Sequence, residues 1–268
     1  PFTTVDYPGQ HAAIVFCQGC PWRCPYCHNT HLQDGEASIR PWSEVMRFLQ
    51  SRADLLDAVV FSGGEPLLQQ RLPDAMRQVR GLGYKIGLHT GGSDPERLRA
   101  VLPLVDWIGF DVKAPWKDYE RITQVRASGT QAWESLLAVL ESNVPFQART
   151  TVHPALLDDA ALRKIDVQLK EIGMVGENAW IQQTFREQGC TEPSLLNTTA
   201  RQVPHRLTAD CGRNSSGGNT AGKPWQSNFP AGTFGHDFKG SKGGMPFGPA
   251  QVSSNDHNSP FRRVNVRE

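Results

Sequence analysis

Residues 12–30 read AAIVFCQGCPWRCPYCHNT, an apolar run of strand length that ends in Cys17, Cys20, Cys24 and Cys27 within eleven positions. The same device returns in DAVVFSG (57–63), which stops at Gly63-Gly64-Glu65-Pro66. Between the two, WSEVMRFLQSR (42–52) sets Val45, Met46, Phe48 and Leu49 on one helical face. The pattern then repeats. LPDAMRQVRGLG (72–83) reads as a helix stopped by Gly81 and Gly83, and YKIGLHT (84–90) reads as a strand. Ser93-Asp94-Pro95-Glu96 reads as a capping box with proline in the first turn. WIGFDV (107–112), PFQARTTV (145–152) and AWIQQ (179–183) supply three more strands, with helices expected over 132–141 and 159–171. Six strands alternating with helices predict an α/β fold with a parallel sheet and helices outside it.

A flat doubly wound sheet and a partly closed barrel both fit that alternation, and the polar residues choose between them. The cysteines follow strand one, Gly63-Gly64-Glu65 follow strand two, and His89-Thr90 end strand three. Asp111 and Lys113 end strand four, Arg149 and His153 lie on or after strand five, and Gln182-Gln183 end strand six. Chemistry delivered at the carboxyl ends of six consecutive strands is the rim of a barrel-like enzyme, so a partial (β/α)6 TIM-like barrel is expected. No G-x-G-x-x-G occurs at a strand-to-helix turn, as a dinucleotide-binding sheet would require.

The 268 residues, 38% hydrophobic and 21% charged, suffice for one full core or one core with an appendage. No run approaches the roughly 18 apolar residues of a spanning helix, so no membrane role is expected. Nothing at the start combines a basic region, an apolar core and a small-residue cleavage site, and the expected setting is cytoplasmic. The chain begins at Pro1 and not at methionine, as a fragment or a processed start would.

Charge divides the chain in two. Residues 201–268 hold nine Lys/Arg against four Asp/Glu, a net +5, which leaves −4 for residues 1–200. The later segment is rich in Gly, Ser, Asn and Pro and has no helical or strand period, so it cannot bury enough surface to offset the entropy of ordering. Residues 1–200 are therefore expected to form the core domain and 201–268 a disordered basic tail. Its charges are scattered among glycines and not clustered on a face, which argues against nucleic acid as a partner.

Closely spaced thiols in a reducing compartment point to metal or redox chemistry, not to a disulfide. The spacing C-x2-C-x3-C-x2-C admits three readings. Structural zinc would use all four thiolates, but its two C-x2-C knuckles are usually separated by a longer loop. A ferredoxin-type cluster would show C-x2-C-x2-C-x3-C-P. The third reading uses Cys20, Cys24 and Cys27 alone, three thiolates on a 4Fe-4S cluster with one iron open to a substrate or cofactor. Cys17, closing an apolar strand, then packs as a small hydrophobe.

GCPWRCPYCHN, followed some forty residues on by FSGGEP, resembles the radical S-adenosylmethionine superfamily, a match that covers about residues 2–196. TTVDYPG, FDVK, LPLVDWIGFDVKAP and RTTVHP resemble its glycyl-radical-enzyme activases, above all the anaerobic ribonucleoside-triphosphate reductase activating proteins, which are related to pyruvate formate-lyase activating enzyme. The resemblance implies a 4Fe-4S cluster on Cys20, Cys24 and Cys27, and S-adenosyl-L-methionine chelated to the open iron. It implies reductive cleavage of that cofactor and removal of a hydrogen atom from a glycine of a partner protein. It places Tyr26 near the adenine, and Gly63, Gly64 and Glu65 at the methionyl ammonium. Thr90, Asp111, Lys113 and Arg149 would lie at the cofactor carboxylate or a bound cation. The implied partners are a glycyl radical enzyme, foremost anaerobic ribonucleotide reductase, and an electron donor such as flavodoxin or ferredoxin. Pyruvate formate-lyase or a small molecule is the alternative target. His89 departs from the acidic residue that pyruvate formate-lyase activases tend to carry before the threonine. The loop APWKDYERITQVRASGT (114–130) is expected to grip a peptide through Trp116 and Tyr119, while Cys190 and Cys211 read as incidental thiols.

Overall fold

A computed structural model describes residues 2–34, 40–176, 179–196 and 264–265. Six strands run parallel: β2 (Ala12–Cys17), β3 (Ala58–Gly63), β4 (Lys85–Thr90), β5 (Trp107–Asp111), β6 (Phe146–Val152) and β7 (Trp180–Thr184). They follow one another in sequence order across the sheet. The short β1 (Phe2–Thr3) adds antiparallel to the start of β2. The helices are α1 (Trp42–Gln50), α2 (Leu72–Gly81), α3 (Pro95–Val101), α4 (Tyr119–Thr123), α5 (Ser128–Ser142) and α6 (Asp159–Glu171). Each of the six strands expected from the apolar runs is present, β1 was not anticipated, and the strands build a partial barrel.

Alternation along the strands gives the sheet two different faces. One carries Val15, Val59, Phe61, Ile86, Leu88, Ile108 and Phe110 into a core shared with α1, α2, α3, α5 and α6. The other, the inner face, gathers Ala12, Ile14, Ala58, Val60 and Trp107 around Tyr7, whose ring stacks on Trp107 at 5.4 Å. The N-terminal turn therefore fills one end of the lumen. Thr3 Oγ1 donates to Asp6 Oδ2 at 2.5 Å and Gln10 N to Tyr7 O at 3.1 Å, which fixes that turn.

Two local expectations change. The N-cap of α3 is Asp94, which accepts from Arg97 N at 3.0 Å, and Ser93 lies outside the helix. A carboxylate one residue nearer the proline reaches the free N–H groups of the first turn better than the serine does. In the loop expected to grip a peptide, Tyr119 is instead a core residue. The loop holds a 3-10 turn (Trp116–Asp118) followed by α4. Tyr119 is fully buried, its hydroxyl accepting from Lys113 N at 3.0 Å, and Trp116 packs between Tyr119 and Trp133. Most of the expected tail, Cys211 included, lies outside the described residues. Within it β8 (Val264–Asn265) pairs antiparallel with β2 at Phe16 and Cys17, a return to the sheet that its composition does not announce.

Candidate active site

The chain leaves β2 at Cys17 and turns through Gly19, which has φ +91°. The cysteine loop is then tied down along its length. Gly19 N donates to Leu32 O (2.7 Å) and Cys20 N to Gln33 O (3.2 Å). Arg23 N donates to Thr123 O on α4 (2.8 Å), its guanidinium donates to Cys20 O (2.6 Å), and Cys27 N closes the last turn on Cys24 O (3.1 Å). Cys20, Cys24 and Cys27 are free and partly exposed, whereas Cys17 is wholly buried among the helix-side core residues. The division into three accessible thiols and one packed thiol is the one expected from the spacing.

The GGEP turn packs directly beneath this loop. Gly64 N donates to Cys17 O and Glu65 N to Gly19 O, both at 2.9 Å. A Cβ on Gly64 would stand 2.2 Å from Gly19 O, and one on Gly63, where φ is +117°, would stand 2.4 Å from Cys17 O. Only glycine permits that approach of two backbones. Glu65 is 2% exposed and its carboxylate accepts from Leu67 N (3.1 Å), Thr90 Oγ1 (2.7 Å) and Gly91 N (3.0 Å). Burial raises its pKa, and those three donors with Lys113 act against the rise. Glu65 and Thr90 are thus engaged with each other, joining the ends of β3 and β4.

Lys113 Nζ lies 5.7 Å from the centre of the Trp22 ring and 5.9 Å from that of Tyr26, which is buried. It also stands 3.6 Å from Asp111 Oδ2, while Arg149 Nε donates to Asp111 Oδ1 at 2.6 Å. Burial opposes ionisation of Asp111, yet Arg149 and Lys113 outweigh it and hold the carboxyl at about 2. Lys113 keeps its charge in the same way: burial disfavours the ammonium, and Tyr26, Asp111 and Cys24 more than restore it. Burial pushes the Cys20 thiol up to about 12, helped by the Glu65 charge, and the Cys24 thiol up to about 11, with Lys113 pulling the other way. Metal binding there has to displace a proton from each.

His89 is buried on the inner face, its Nε2 donating to Asp6 O at 2.8 Å and its Nδ1 3.8 Å from Asp6 Oδ1. Burial and the nearby Arg149 push its pKa down to about 4, so it is neutral near pH 7. It serves the N-terminal turn. Gln182 and Gln183 lie exposed on β7, the edge strand beside β6.

Among the described residues no three His, Cys, Asp or Glu side chains close on a single point, as one zinc ion demands. A cubane makes a different demand, one thiolate per iron around a volume, and the three free thiols of one loop suit it. The donor set therefore fits a three-thiolate cluster. Residues the sequence did not assign to this site also lie here. Trp22 and Tyr119 form the wall behind Lys113 with an edge-on contact of 6.2 Å. Cys190, expected to be incidental, is buried and donates from Sγ to Pro25 O at 3.3 Å. The one available signal for Trp22 was its place between two candidate ligands; nothing local distinguishes Cys190.

The sequence profile of the radical SAM superfamily matches residues 14–164. A Methanocaldococcus jannaschii protein described as a glycyl-radical enzyme activating enzyme is 29% identical over 178 residues, which span 63% of this chain and 72% of the relative. The pyruvate formate-lyase-activating enzyme of Clostridium pasteurianum is 30% identical over 178 residues, covering 63% of this chain and 73% of that protein. Among solved structures, Streptococcus suis SuiB bound to S-adenosylmethionine superposes with a TM-score of 0.51 at 15% identity, covering 68% of this chain and 42% of SuiB. anSMEcpe with bound AdoMet superposes with a TM-score of 0.52 at 15% identity, over 65% of this chain and 51% of that one. The chain thus spans about half or less of those two structures, and the likeness to them is one of fold.

Proposed function

The chain belongs to the radical SAM superfamily, and from that premise we propose that it activates a glycyl radical enzyme, with anaerobic ribonucleotide reductase as the target. Members of the superfamily use a 4Fe-4S cluster and S-adenosylmethionine, which when bound supply an electron and a carbon-centred radical able to take hydrogen from a glycine α-carbon. The observation that carries the reading is the placement of three free thiols on a loop braced from below by the GGEP turn.

In this reading Cys20, Cys24 and Cys27 hold the cluster. Gly63 and Gly64 let the loop and the turn touch, and Glu65 keeps the ends of β3 and β4 in register through Thr90 and Gly91. Tyr26 offers an apolar ring beside the loop, and Lys113 offers a positive charge to a carboxylate, with Asp111 and Arg149 holding its position. Because Asp111 is already shared by two cations, it orients them and has less capacity for a further cation of its own. No helix of the described residues is long and apolar enough to cross a membrane. The proposed setting is cytoplasmic, with a flavodoxin or ferredoxin as electron donor. The relative from C. pasteurianum keeps pyruvate formate-lyase as the second reading.

The test is to mix the reconstituted, reduced enzyme and S-adenosylmethionine with each target and record the electron paramagnetic resonance spectrum. A glycyl doublet with the reductase supports the proposal. A doublet with pyruvate formate-lyase alone replaces the target, and no cofactor cleavage in any mixture ends the activase reading.

A further inference from the structure

The segment that follows β7 fastens the cysteine loop from the outside. It starts against the barrel, where Phe185 N donates to Val152 O at 3.0 Å and the Phe185 ring stands edge-on to His153 at 5.0 Å. It ends against the barrel as well. Leu195 is 3% exposed within the cluster of Trp22, Tyr26, Tyr119 and Ile122, and its carbonyl lies 3.3 Å from His153 Nε2. The strap meets the Cys24–His28 turn through four contacts. His28 Nε2 donates to Arg186 O (2.7 Å), and the His28 ring stacks on Phe185 (5.5 Å). Cys190 Sγ donates to Pro25 O (3.3 Å). Gly189, at φ +84°, lies so close that a Cβ there would stand 2.2 Å from His28 O.

The three thiols are therefore held by different parts of the chain. Cys20 depends on Gln33 and Arg23, within or near its own loop, and Arg23 is itself tied to Thr123 of α4. The turn carrying Cys24 and Cys27 has its internal bond from Cys27 N to Cys24 O; Tyr26 within it packs with Tyr119 and Ile122 and lies 5.9 Å from Lys113, while the further hydrogen bonds described for the turn come from Arg186 and Cys190 of the strap. We infer that the 185–196 strap is a latch that sets the liganding geometry of Cys24 and Cys27, with Gly189 and Cys190 as its positioning residues. This rests on the cluster-binding role proposed above for those two thiols. The segment that follows β7 is then part of the cluster-binding apparatus, and a strap that loosens would expose two ligands while leaving the third in place.

The experiment uses the full chain under anaerobic conditions, as the parent and as Gly189→Val, Cys190→Ala and Cys190→Ser. Cluster-free protein is pulsed with iodoacetamide, and labelling at each cysteine is read by peptide mass spectrometry, with circular dichroism on the same samples. Valine at a positive φ against a carbonyl should speed labelling of Cys24 on the order of tenfold. Loss of one sulfur hydrogen bond in Cys190→Ala should speed it about threefold, Cys190→Ser should restore most of the protection, and Cys20 should stay within about twofold of the parent. Reconstituted samples should lose iron to a chelator in the same order. Unchanged labelling of Cys24, or equal acceleration at Cys20 with lost helical signal, overturns the latch. A parent that binds no iron while Cys24 protection still depends on Gly189 would sink the cluster reading and leave the latch standing.

Discussion

Replacing Glu65 with alanine removes the acceptor for two backbone N–H groups, Leu67 and Gly91, and for the Thr90 hydroxyl, at a site 2% exposed to solvent. The hydroxyl can turn to another partner, but the two amides cannot. A buried donor left unpaired costs roughly 1–3 kcal/mol, so Glu65→Ala should destabilise the fold by about 4 kcal/mol. In a domain of this size that is roughly 8–16 °C in Tm. Glu65→Gln keeps one oxygen for Leu67 and Thr90 but turns an NH2 toward Gly91 N, and should cost about 1–2 kcal/mol. The folded pKa of Glu65 is raised, so the folded state holds the extra proton in the window above the ordinary glutamate value. Stability from this site is complete below that window and declines as pH rises through it. The gap between parent and Glu65→Gln should therefore be widest in mild acid and narrow toward neutral pH. Urea unfolding of the cluster-free chain, followed by far-ultraviolet circular dichroism from about pH 5 to about pH 8, measures both quantities. An alanine variant within about 1 kcal/mol of the parent, or a glutamine variant as damaged as the alanine one, would refute the three-bond brace.

Cys20→Ala, Cys24→Ala or Cys27→Ala should abolish cluster assembly while Cys17→Ala, a change in the packed core, keeps it; reconstituted iron content decides this. Tyr119→Ala should cost about 3–5 kcal/mol as a fully buried aromatic and Tyr119→Phe about 1 kcal/mol for the bond from Lys113 N, read as shifts in the urea midpoint. His89, held at about 4, binds its proton more weakly folded than unfolded, so its contribution is present above the ordinary histidine range and lost as pH falls toward 4. His89→Gln should flatten that part of the acid unfolding curve. Asp111, held at about 2, contributes stability above the ordinary aspartate range that is lost as pH falls toward 2, and Asp111→Asn should remove that lower part of the curve.

Strand positions were legible because each is a short apolar run ending at a change of composition: AAIVF at the cysteines, VVF at Ser-Gly-Gly, and WIGF at Asp111. Each run is buried on both faces, and such runs carry their signal in a few adjacent residues. β1 was not legible, since two residues hold no period and its pairing with Ala12 and Ala13 is made across a turn. Tyr119 misled for a related reason. Its aromatic character announces burial or binding equally, and only the position of α4 beneath Trp22 decided for burial.

Local spacing within one turn of chain, C-x3-C-x2-C, was enough to separate three partly exposed thiols from the packed Cys17, because all four sit on the same few residues and strand parity places Cys17 on the core side. The partners of those thiols come from far along the chain. Glu65 meets Thr90 across 25 positions, Arg149 meets Asp111 across 38, and Cys190 meets Pro25 across 165. A sequence records which groups are available, but a hydrogen bond exists only where the closing of the sheet brings donor and acceptor within about 3 Å. The grouping of the thiols and the strand order were therefore decided by neighbours in the chain, and the brace, the ion trio and the strap by neighbours in space.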